Sequence, residues 1–298
     1  MRIFLTGATG VVGTRALPAL VEAGHQVTAA ARSAAKADLV RSLGGAPITV
    51  DLFDANAVNA AVVGHEAVIH LATQIPPLSK ASRASAWEVN SRLRREASRN
   101  LADAARAADA TRYVQESIAL AYEDGGHRWI DEDAPATLSG FFAPAGAAEA
   151  VTQRFTDGGG IGVVLRFAQF YAADSGHVQT FNKIARRGVN PLLGPSEAYS
   201  PFVHAEDAGA AVVAALVAPA GVYNVGDDEP LTRKAAGQVI AQAVGKARLR
   251  AVPGLLLKLM PGDADALMRS VRLSNQKLRR ASGWAPKHSS IRGSWPVT

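Results

Sequence analysis

Three glycines near the amino terminus are the residues whose types and spacing most clearly suggest chemistry. Gly7, Gly10 and Gly13 follow the apolar run Ile3–Leu5 and lead into Val11–Ala23, where apolar residues recur at helical spacing. A strand, a glycine turn and a helix in this order direct backbone N–H groups and the positive end of a helix towards one point. Such a point binds the pyrophosphate of a dinucleotide, so the spacing GxxGxxG predicts a nucleotide site.

The second predicted strand, Gln26–Ala31, ends in residues that indicate which dinucleotide binds. Where an NAD-binding chain carries an acid for the ribose 2′-hydroxyl, this chain has Arg32 and Ser33, with Lys36 close behind. A guanidinium and a hydroxyl can hold a 2′-phosphate by charge-assisted hydrogen bonds, whereas a carboxylate would repel it. The expected cofactor is therefore NADP(H) in preference to NAD(H). The alternative is that Arg32 merely begins the next helix.

Strands and helices alternate through the first half of the chain. Further strands are predicted at 48–50, 67–71, 112–115 and 162–166, and helices at 34–43, 54–63, 85–108 and 144–156. This alternation is typical of right-handed βαβ units and predicts a Rossmann-type α/β fold with a doubly wound parallel sheet. Ligands bind at the carboxyl ends of such strands, so the side chains at those ends are expected to meet around one site.

The composition of the 298 residues excludes several classes of protein. There are no cysteines, which excludes disulfides, thiol catalysis and thiolate metal sites, and the histidines do not have the spacing of a recognised metal motif. The net charge of +6 is not clustered with aromatic residues as in a nucleic-acid-binding protein. No apolar stretch is long enough to cross a bilayer, and Met1 leads directly into the first strand. We therefore expect a cytoplasmic protein without a signal peptide.

Several segments together resemble a known family. The segments TGATGVVG, DLFD, VIHLAT, VVLRFAQFYAADS, SPFVHAEDAGAAV and GVYNVGDDEPLT follow one another. Their order is similar to that of the extended and atypical short-chain dehydrogenase/reductases, the NAD-dependent epimerase/dehydratase-like group. The resemblance implies a Rossmann domain over 1–170, completed by roughly 200–226, and a smaller, mostly helical C-terminal substrate-capping domain over 171–298. Further helices are predicted at 178–187, 232–244, 255–260 and 264–271. A monomer and a homodimer are both open.

The glycine turn, the end of the second strand and the resemblance together give a set of expected cofactor contacts. The resemblance implies that Asp51 and Leu52 border the adenine and that Ala72 and Thr73 lie on the ribose and nicotinamide side. The full set is Thr6, Gly7, Thr9, Gly10, Val11, Val12, Gly13, Arg32, Ser33, Lys36, Asp51, Leu52, Leu71, Ala72, Thr73 and Phe167.

The proton relay that this family usually carries is absent from the sequence. Members have a Tyr-x-x-x-Lys pair in which the tyrosine transfers a proton and the lysine lowers its pKa. In the segment GFFAPAGAAEAV, the resemblance places Phe141 at the tyrosine position and Ala145 at the lysine position. A phenyl ring has no ionisable proton, and none of the five tyrosines has a lysine four residues later.

Three explanations of this absence remain open. A different side chain has taken over the proton transfer, with Tyr122, Ser117 and Glu116 as candidates after the fifth strand. Alternatively, the chain catalyses a redox-neutral cyclisation, dehydration or isomerisation in an apolar cage. In the third explanation it is no enzyme and resembles the NmrA-like regulators, which bind NADP(H) and report redox state to a partner. We favour an NADP(H)-dependent oxidoreductase or epimerase-like enzyme that acts on a small, largely apolar carbonyl or alcohol, with no metal, nucleic acid or membrane involved.

Overall fold

A parallel sheet forms the centre of the computed structural model, which describes residues 1–77, 80, 83–252, 266 and 268–297. Within these residues the sheet has seven strands in the order β11-β7-β5-β4-β1-β2-β3. The strands are β1 Arg2–Thr6, β2 Gln26–Ala30, β3 Ala46–Ile48, β4 Ala67–His70, β5 Arg112–Ile118, β7 Ile161–Phe167 and β11 Gly221–Val225. All neighbouring pairs are parallel. The carboxyl ends of the strands therefore lie along one edge.

Helices cover both faces of this sheet. The helices are α1 Gly13–Glu22, α2 Ala34–Ser42, α3 Ala55–Val62, α4 Glu88–Arg92, α5 Ser98–Ala107, α6 Ala143–Asp157, α7 Gly176–Arg186, α8 Ala205–Ala214, α9 Arg233–Ala243 and α10 Gln276–Ser282. α1 and α8 pack together on one face, and α3, α5 and α6 pack on the other. Along β1, Ile3 and Leu5 join the first core and Phe4 joins the second, as the alternation of side chains in a strand requires. The predicted Rossmann-type doubly wound fold is confirmed.

The long helix predicted over 85–108 is interrupted. A 3₁₀ turn at Ala84–Trp87 and the short α4 precede a π-helical turn at Leu93–Ala97, and α5 follows. The carbonyl of Leu93 accepts bonds from the Ser98 amide and from His70 Nε2, at 3.1 Å for the imidazole. The contact with a buried histidine on β4 holds the wider turn in place. Single π-turns of this kind are frequent at functional sites.

Two strand boundaries also differ from the prediction. β5 continues to Ile118 instead of ending at Gln115, so Glu116 and Ser117 are strand residues rather than loop residues. Both pair in register with β7, which supplies the backbone bonds that extend the strand. β3 spans 46–48, two residues before the predicted start, because its register with β2 places Ile48 opposite Ala30.

The chain beyond β7 forms smaller sheets and a separate apolar core. β6 Trp129–Ile130 pairs with β13 Arg272–Leu273, β8 Gln169–Tyr171 with β10 Phe202–His204, and β9 Tyr199–Ser200 with β12 Leu231–Thr232. Tyr171 and Trp295 lie in the separate core with residues of α7 and α9. The predicted division at residue 171 stays a prediction. The helix expected at 255–260 and most of that at 264–271 lie outside the described residues. No helix in the described part of the chain is long and apolar enough to span a membrane.

Candidate active site

The glycine turn between β1 and α1 presses against the end of β4. Gly7 has a φ of +80°, and a Cβ atom on it would lie 2.5 Å from the carbonyl carbon of Leu71. A Cβ atom on Gly13 would lie 2.0 Å from the carbonyl oxygen of Gly7. Neither position can therefore accept a side chain without moving backbone. The turn also brings Leu71 and Ala72 beside the start of α1.

At the amino end of α1 the amides of Thr14 and Arg15 donate to the carbonyls of Gly10 and Val12, which leaves the preceding amides from Val11 to Gly13 as the available donors. No side chain caps this helix, whose N-cap is Val12. The first turn of an uncapped helix offers free N–H groups and a positive potential to an anion. Thr9, Gly10 and Val11 are exposed or half-buried within the turn, whereas the Thr6 side chain is buried and bonded to His70 Nδ1 at 2.6 Å.

The end of β2 presents polar side chains at the same edge of the sheet. Arg32 and Ser33 are exposed and Lys36 is half-buried. The Ser33 hydroxyl accepts the Lys36 amide at 3.4 Å and so caps α2. The hydroxyl also carries a proton that it can donate outward, so capping and phosphate binding are compatible.

The ends of β3 and β4 are held by side-chain bonds. Asp51 accepts the Phe53 amide at 2.9 Å, and Asn100 of α5 donates to the Leu52 carbonyl at 3.0 Å. Thr73 is exposed and Ala72 half-buried just past β4, while Phe167 at the end of β7 is buried against Phe170. The expected cofactor residues therefore follow the carboxyl ends of neighbouring strands.

A dinucleotide fits these residues. The lack of a Cβ atom at Gly7 and Gly13 lets the turn pack directly on the backbone of Leu71 and Ala8. The start of α1 has no side-chain cap, and the end of β2 is polar. This is the donor set that a pyrophosphate and an adenosine ribose require.

A buried polar network lies behind the end of β5. The Ser117 hydroxyl donates to Glu149 of α6 at 2.6 Å, and Arg166 of β7 donates to the same carboxylate from Nε and Nη2 at 2.9 and 2.7 Å. All three side chains are less than a tenth exposed. Burial lowers the pKa of Arg166, but the bonds to Glu149 more than offset this, and the net pKa is raised. The Ser117 hydroxyl and the Arg166 guanidinium therefore share the Glu149 carboxyl group as their acceptor.

Tyr122 is bonded inside the core. Its ring is fully buried, its hydroxyl donates to Asn224 Oδ1 at 2.8 Å, and the Arg166 guanidinium lies over the ring at 4.9 Å. Burial raises the pKa of Tyr122 to about 12, although the nearby Arg166 charge lowers it in part. The Tyr122 phenol is therefore shielded from solvent, and its hydroxyl proton is engaged in the hydrogen bond to Asn224.

Arg94 is a buried cation at the end of β5 that the sequence analysis did not single out. It lies on the π-helical turn, is 4% exposed, and donates from Nη2 to both oxygens of Glu116 at 2.9 and 2.7 Å. Burial raises the pKa of the Glu116 carboxyl, and the Arg94 charge opposes that rise. Nη1 of Arg94 is buried and has no hydrogen-bond partner among the described residues. One signal in the sequence could have indicated its burial. At helical spacing Arg94 lies on the opposite side of the helix from the other arginines of this segment, which are Arg92, Arg95, Arg99 and Arg106.

Comparison with known proteins identifies the family. The model of the NAD dependent epimerase/dehydratase family matches residues 3–226. A 3-diazoavenalumate denitrifying reductase from a Streptomyces species is 32% identical over 303 aligned positions, which cover 98% of both chains. The chain belongs to the NAD-dependent epimerase/dehydratase family. The predicted membership among the extended short-chain dehydrogenase/reductases is confirmed.

Solved structures show the same fold at lower identity. The human epimerase family protein SDR39U1 with NADPH has a TM-score of 0.81 and 21% identity, covering 98% of this chain and 96% of that one. The UDP-glucose 4-epimerase of Thermus thermophilus with NAD has a TM-score of 0.78 and 24% identity, with the same coverage. These two relatives of the epimerase/dehydratase fold differ in the cofactor named with each.

The two positions that the sequence resemblance equates with the family's tyrosine and lysine lie at the start of α6. Phe141 is in a 3₁₀ turn, Gly140–Phe142, and its ring meets Trp87 at 4.8 Å and Phe142 at 5.1 Å, edge to face. Ala145 is buried in the first turn of α6. Phe141 and Phe142 share an apolar cluster with Ile118 of β5. An apolar surface therefore stands where the resemblance implies a proton relay.

Proposed function

We propose that the chain is an NADP(H)-dependent reductase of a small, largely apolar metabolite and works without a tyrosine acid. The observation that carries the proposal is the contrast between two parts of one site. The glycine turn packs closely on the end of β4 and precedes a helix without a side-chain cap, which supports a dinucleotide site there. Just before α6, Phe141 lies in an apolar cluster, and Ala145 is buried in the first turn of the helix.

The preference for NADP(H) rests on the end of β2. The side chains of Arg32, Ser33 and Lys36 offer a guanidinium, a hydroxyl and an ammonium to a 2′-phosphate. Similar folds are known with NAD and with NADPH, so the fold alone does not select between them. The absence of an acid at the end of β2 supports the phosphorylated cofactor.

The reaction we favour is one in which the substrate is a cation that is neutralised by hydride transfer alone, so that no proton is needed. A bound nicotinamide supplies a hydride to the substrate. A diazonium carbon accepts it without a proton: the C–H bond forms, the C–N bond breaks, and its electron pair leaves with dinitrogen. The relative at 32% identity is a denitrifying reductase of a diazo compound. On this proposal the chain binds and orients the cofactor and the substrate and excludes water. Because no proton is transferred, a phenyl ring at position 141 does not slow the reaction.

A carbonyl substrate would need a proton from the protein. Among the three candidates, Glu116 ranks first because burial raises the pKa of its carboxyl, although both of its oxygens accept hydrogen bonds from Arg94 and a proton transfer would have to break one of them. Ser117 ranks second, because its proton is held by Glu149. Tyr122 ranks last, because its hydroxyl is bonded to Asn224 in the core. The hydride-only reaction remains the one that the apolar start of α6 supports best.

The experiment compares two probes under identical conditions. The full chain is incubated with deuteride-labelled NADPH and either an arenediazonium salt or cinnamaldehyde, with a no-protein reaction as background. We expect one deuterium in the arene and one NADPH oxidised for each diazonium reduced. Turnover of cinnamaldehyde alone would point to a protein acid and overturn the hydride-only reaction. Tight NADPH binding with no product from either probe would support a sensor, and a product formed without NADPH oxidation would support a redox-neutral enzyme.

A further inference from the structure

The buried guanidinium of Arg94 has one nitrogen that the protein leaves unsatisfied. Nη2 donates to both oxygens of Glu116, while Nη1 is buried and has no partner among the described residues. A buried donor without an acceptor costs free energy, so native structures rarely keep one unless a ligand or water completes it. The Glu116 carboxylate is already occupied, so an additional acceptor has to come from outside the pair.

Arg94 and Glu116 lie at the edge of the sheet where ligands bind. Glu116 follows Gln115, which pairs with His70 on β4, so it is level with Leu71 beside the glycine turn. The π-helical turn that carries Arg94 packs against α6. The guanidinium therefore lies beside the carboxyl end of β5, where Glu116 is level with Leu71 and the glycine turn.

The neighbouring surface is aromatic. Phe141 is half-buried between Trp87 and Phe142, and its cluster includes Ile118, two residues after Glu116 on the same strand. Edge-to-face aromatic contacts of this kind accept a further flat ring readily. Arg94 and Trp87 are seven residues apart in one helical segment, so the cation and the aromatic wall come from the same stretch of chain.

We propose that this site binds a flat apolar substrate that carries one anionic oxygen group, with Arg94 Nη1 as the donor that holds that group. The inference rests on the proposed function and names the substrate class for it. A planar, buried guanidinium binds a carboxylate or a phenolate more strongly than a neutral amide. Arg94 is thus a binding and specificity residue, and the hydride acceptor lies elsewhere on the same ligand.

The test measures binding in the absence of turnover. The full chain, saturated with NADP⁺, is titrated with cinnamate and with neutral cinnamamide by calorimetry. We expect cinnamate to bind at least about 10-fold more tightly, as a charge-assisted bond to a buried guanidinium requires. In the variant Arg94→Met with Glu116→Gln, which removes both members of the pair, cinnamate should lose this advantage while cinnamamide and NADP⁺ keep their affinities.

The matched control is Arg95→Met, because Arg95 is exposed on the same π-helical turn. This variant should keep the preference for cinnamate. Equal affinities of the native chain for the two probes would overturn the inference, and so would a double variant that weakens NADP⁺ instead of cinnamate. Failure of hydride transfer with intact cinnamate binding would count against the proposed function alone. The two hypotheses therefore fail by different measurements.

Discussion

Arg32 and Arg94 differ in burial, and this difference determines which kind of ligand each arginine is suited to bind. Arg32 is exposed at the end of β2, where its charge is available to a ligand from solvent. Arg94 is buried and bonded to Glu116, and its Nη1 atom has no hydrogen-bond partner among the described residues. Burial makes each remaining hydrogen bond of such a group more valuable, because water cannot replace it. The exposed Arg32 therefore suits the 2′-phosphate of a cofactor at the protein surface. The buried Arg94 suits discrimination between anionic and neutral substrates.

Replacing Arg32 by Ala should weaken NADPH binding roughly 10- to 100-fold, because a charge-assisted contact to the 2′-phosphate is lost. NADH, which lacks that phosphate, should bind as before. Titration of both cofactors against tryptophan fluorescence checks this. Arg41→Ala is the matched control, since Arg41 is exposed on α2 and pairs with Asp38. A variant that keeps the native preference for NADPH would rule out Arg32 as the selecting residue.

Replacing Tyr122 by Phe should change stability more than turnover. The variant loses the bond to Asn224 and leaves a buried amide oxygen unpaired, at a cost of about 1–2 kcal/mol. Denaturant unfolding and initial rates on the same preparation separate the two effects. A loss of turnover beyond 100-fold in a variant that is still folded would instead make Tyr122 the proton donor.

At the level of elements, local signals predicted the glycine turn well and the α4–α5 segment poorly. The turn between β1 and α1 is specified by residues within one stretch of sequence, so its spacing can be read directly. The π-helical turn depends on His70, which lies 23 residues before Leu93 and meets its carbonyl only in the folded sheet. The Arg94–Glu116 pair joins residues 22 apart for the same reason. Periodicity along a single helix cannot detect such contacts.

The glycine turn gives a test at this scale. Gly13→Ala should destabilise the chain by about 3 kcal/mol or more, because the new Cβ atom would meet backbone at Gly7 and Ala8. NADPH binding should be lost as the turn opens. Gly176→Ala is the control, since a Cβ atom there would meet nothing within 4 Å. Calorimetric unfolding and cofactor titration of both variants check the prediction, and a Gly13 variant with native affinity would contradict the close packing.

At the scale of the whole molecule, the doubly wound parallel sheet followed from the alternation of strands and helices, whereas the packing of the late chain did not. β11 joins the main sheet beside β7, and α8 packs on α1, although both come after residue 200. The segment 284–290 is attached to α8 by Asp207, which accepts the amides of Lys287 and His288 at 2.7 and 2.9 Å. These contacts join parts of the chain about 80 residues apart, so no local pattern specifies them. Only a resemblance to whole folds could have suggested that the late chain returns to the sheet.

A buried carboxyl just after β11 makes the stability of the fold depend on pH. Asp227 follows β11, is 3% exposed, and its Oδ1 has no partner in the described part of the chain. Burial, with the charges of Asp228, Glu229 and Asp207, raises the pKa of Asp227 to about 9. The facing cations Arg279 and Arg292 are already paired with Asp228 and Glu229.

The unfolded chain releases this proton near pH 4, so between about 4 and 9 the native state binds the extra proton. The contribution of Asp227 to stability is therefore present in full below pH 4 and is lost as the pH rises towards 9. Asp227→Asn keeps the neutral form at every pH, so its melting temperature should exceed that of the native chain by several degrees at pH 8 and by little at pH 4.5. Thermal unfolding across this range checks it. Asp228→Asn, which breaks the pair with Arg279, should give no such gain. Parallel curves for Asp227→Asn and the native chain would show instead that the Asp227 carboxylate is ionised in the folded protein.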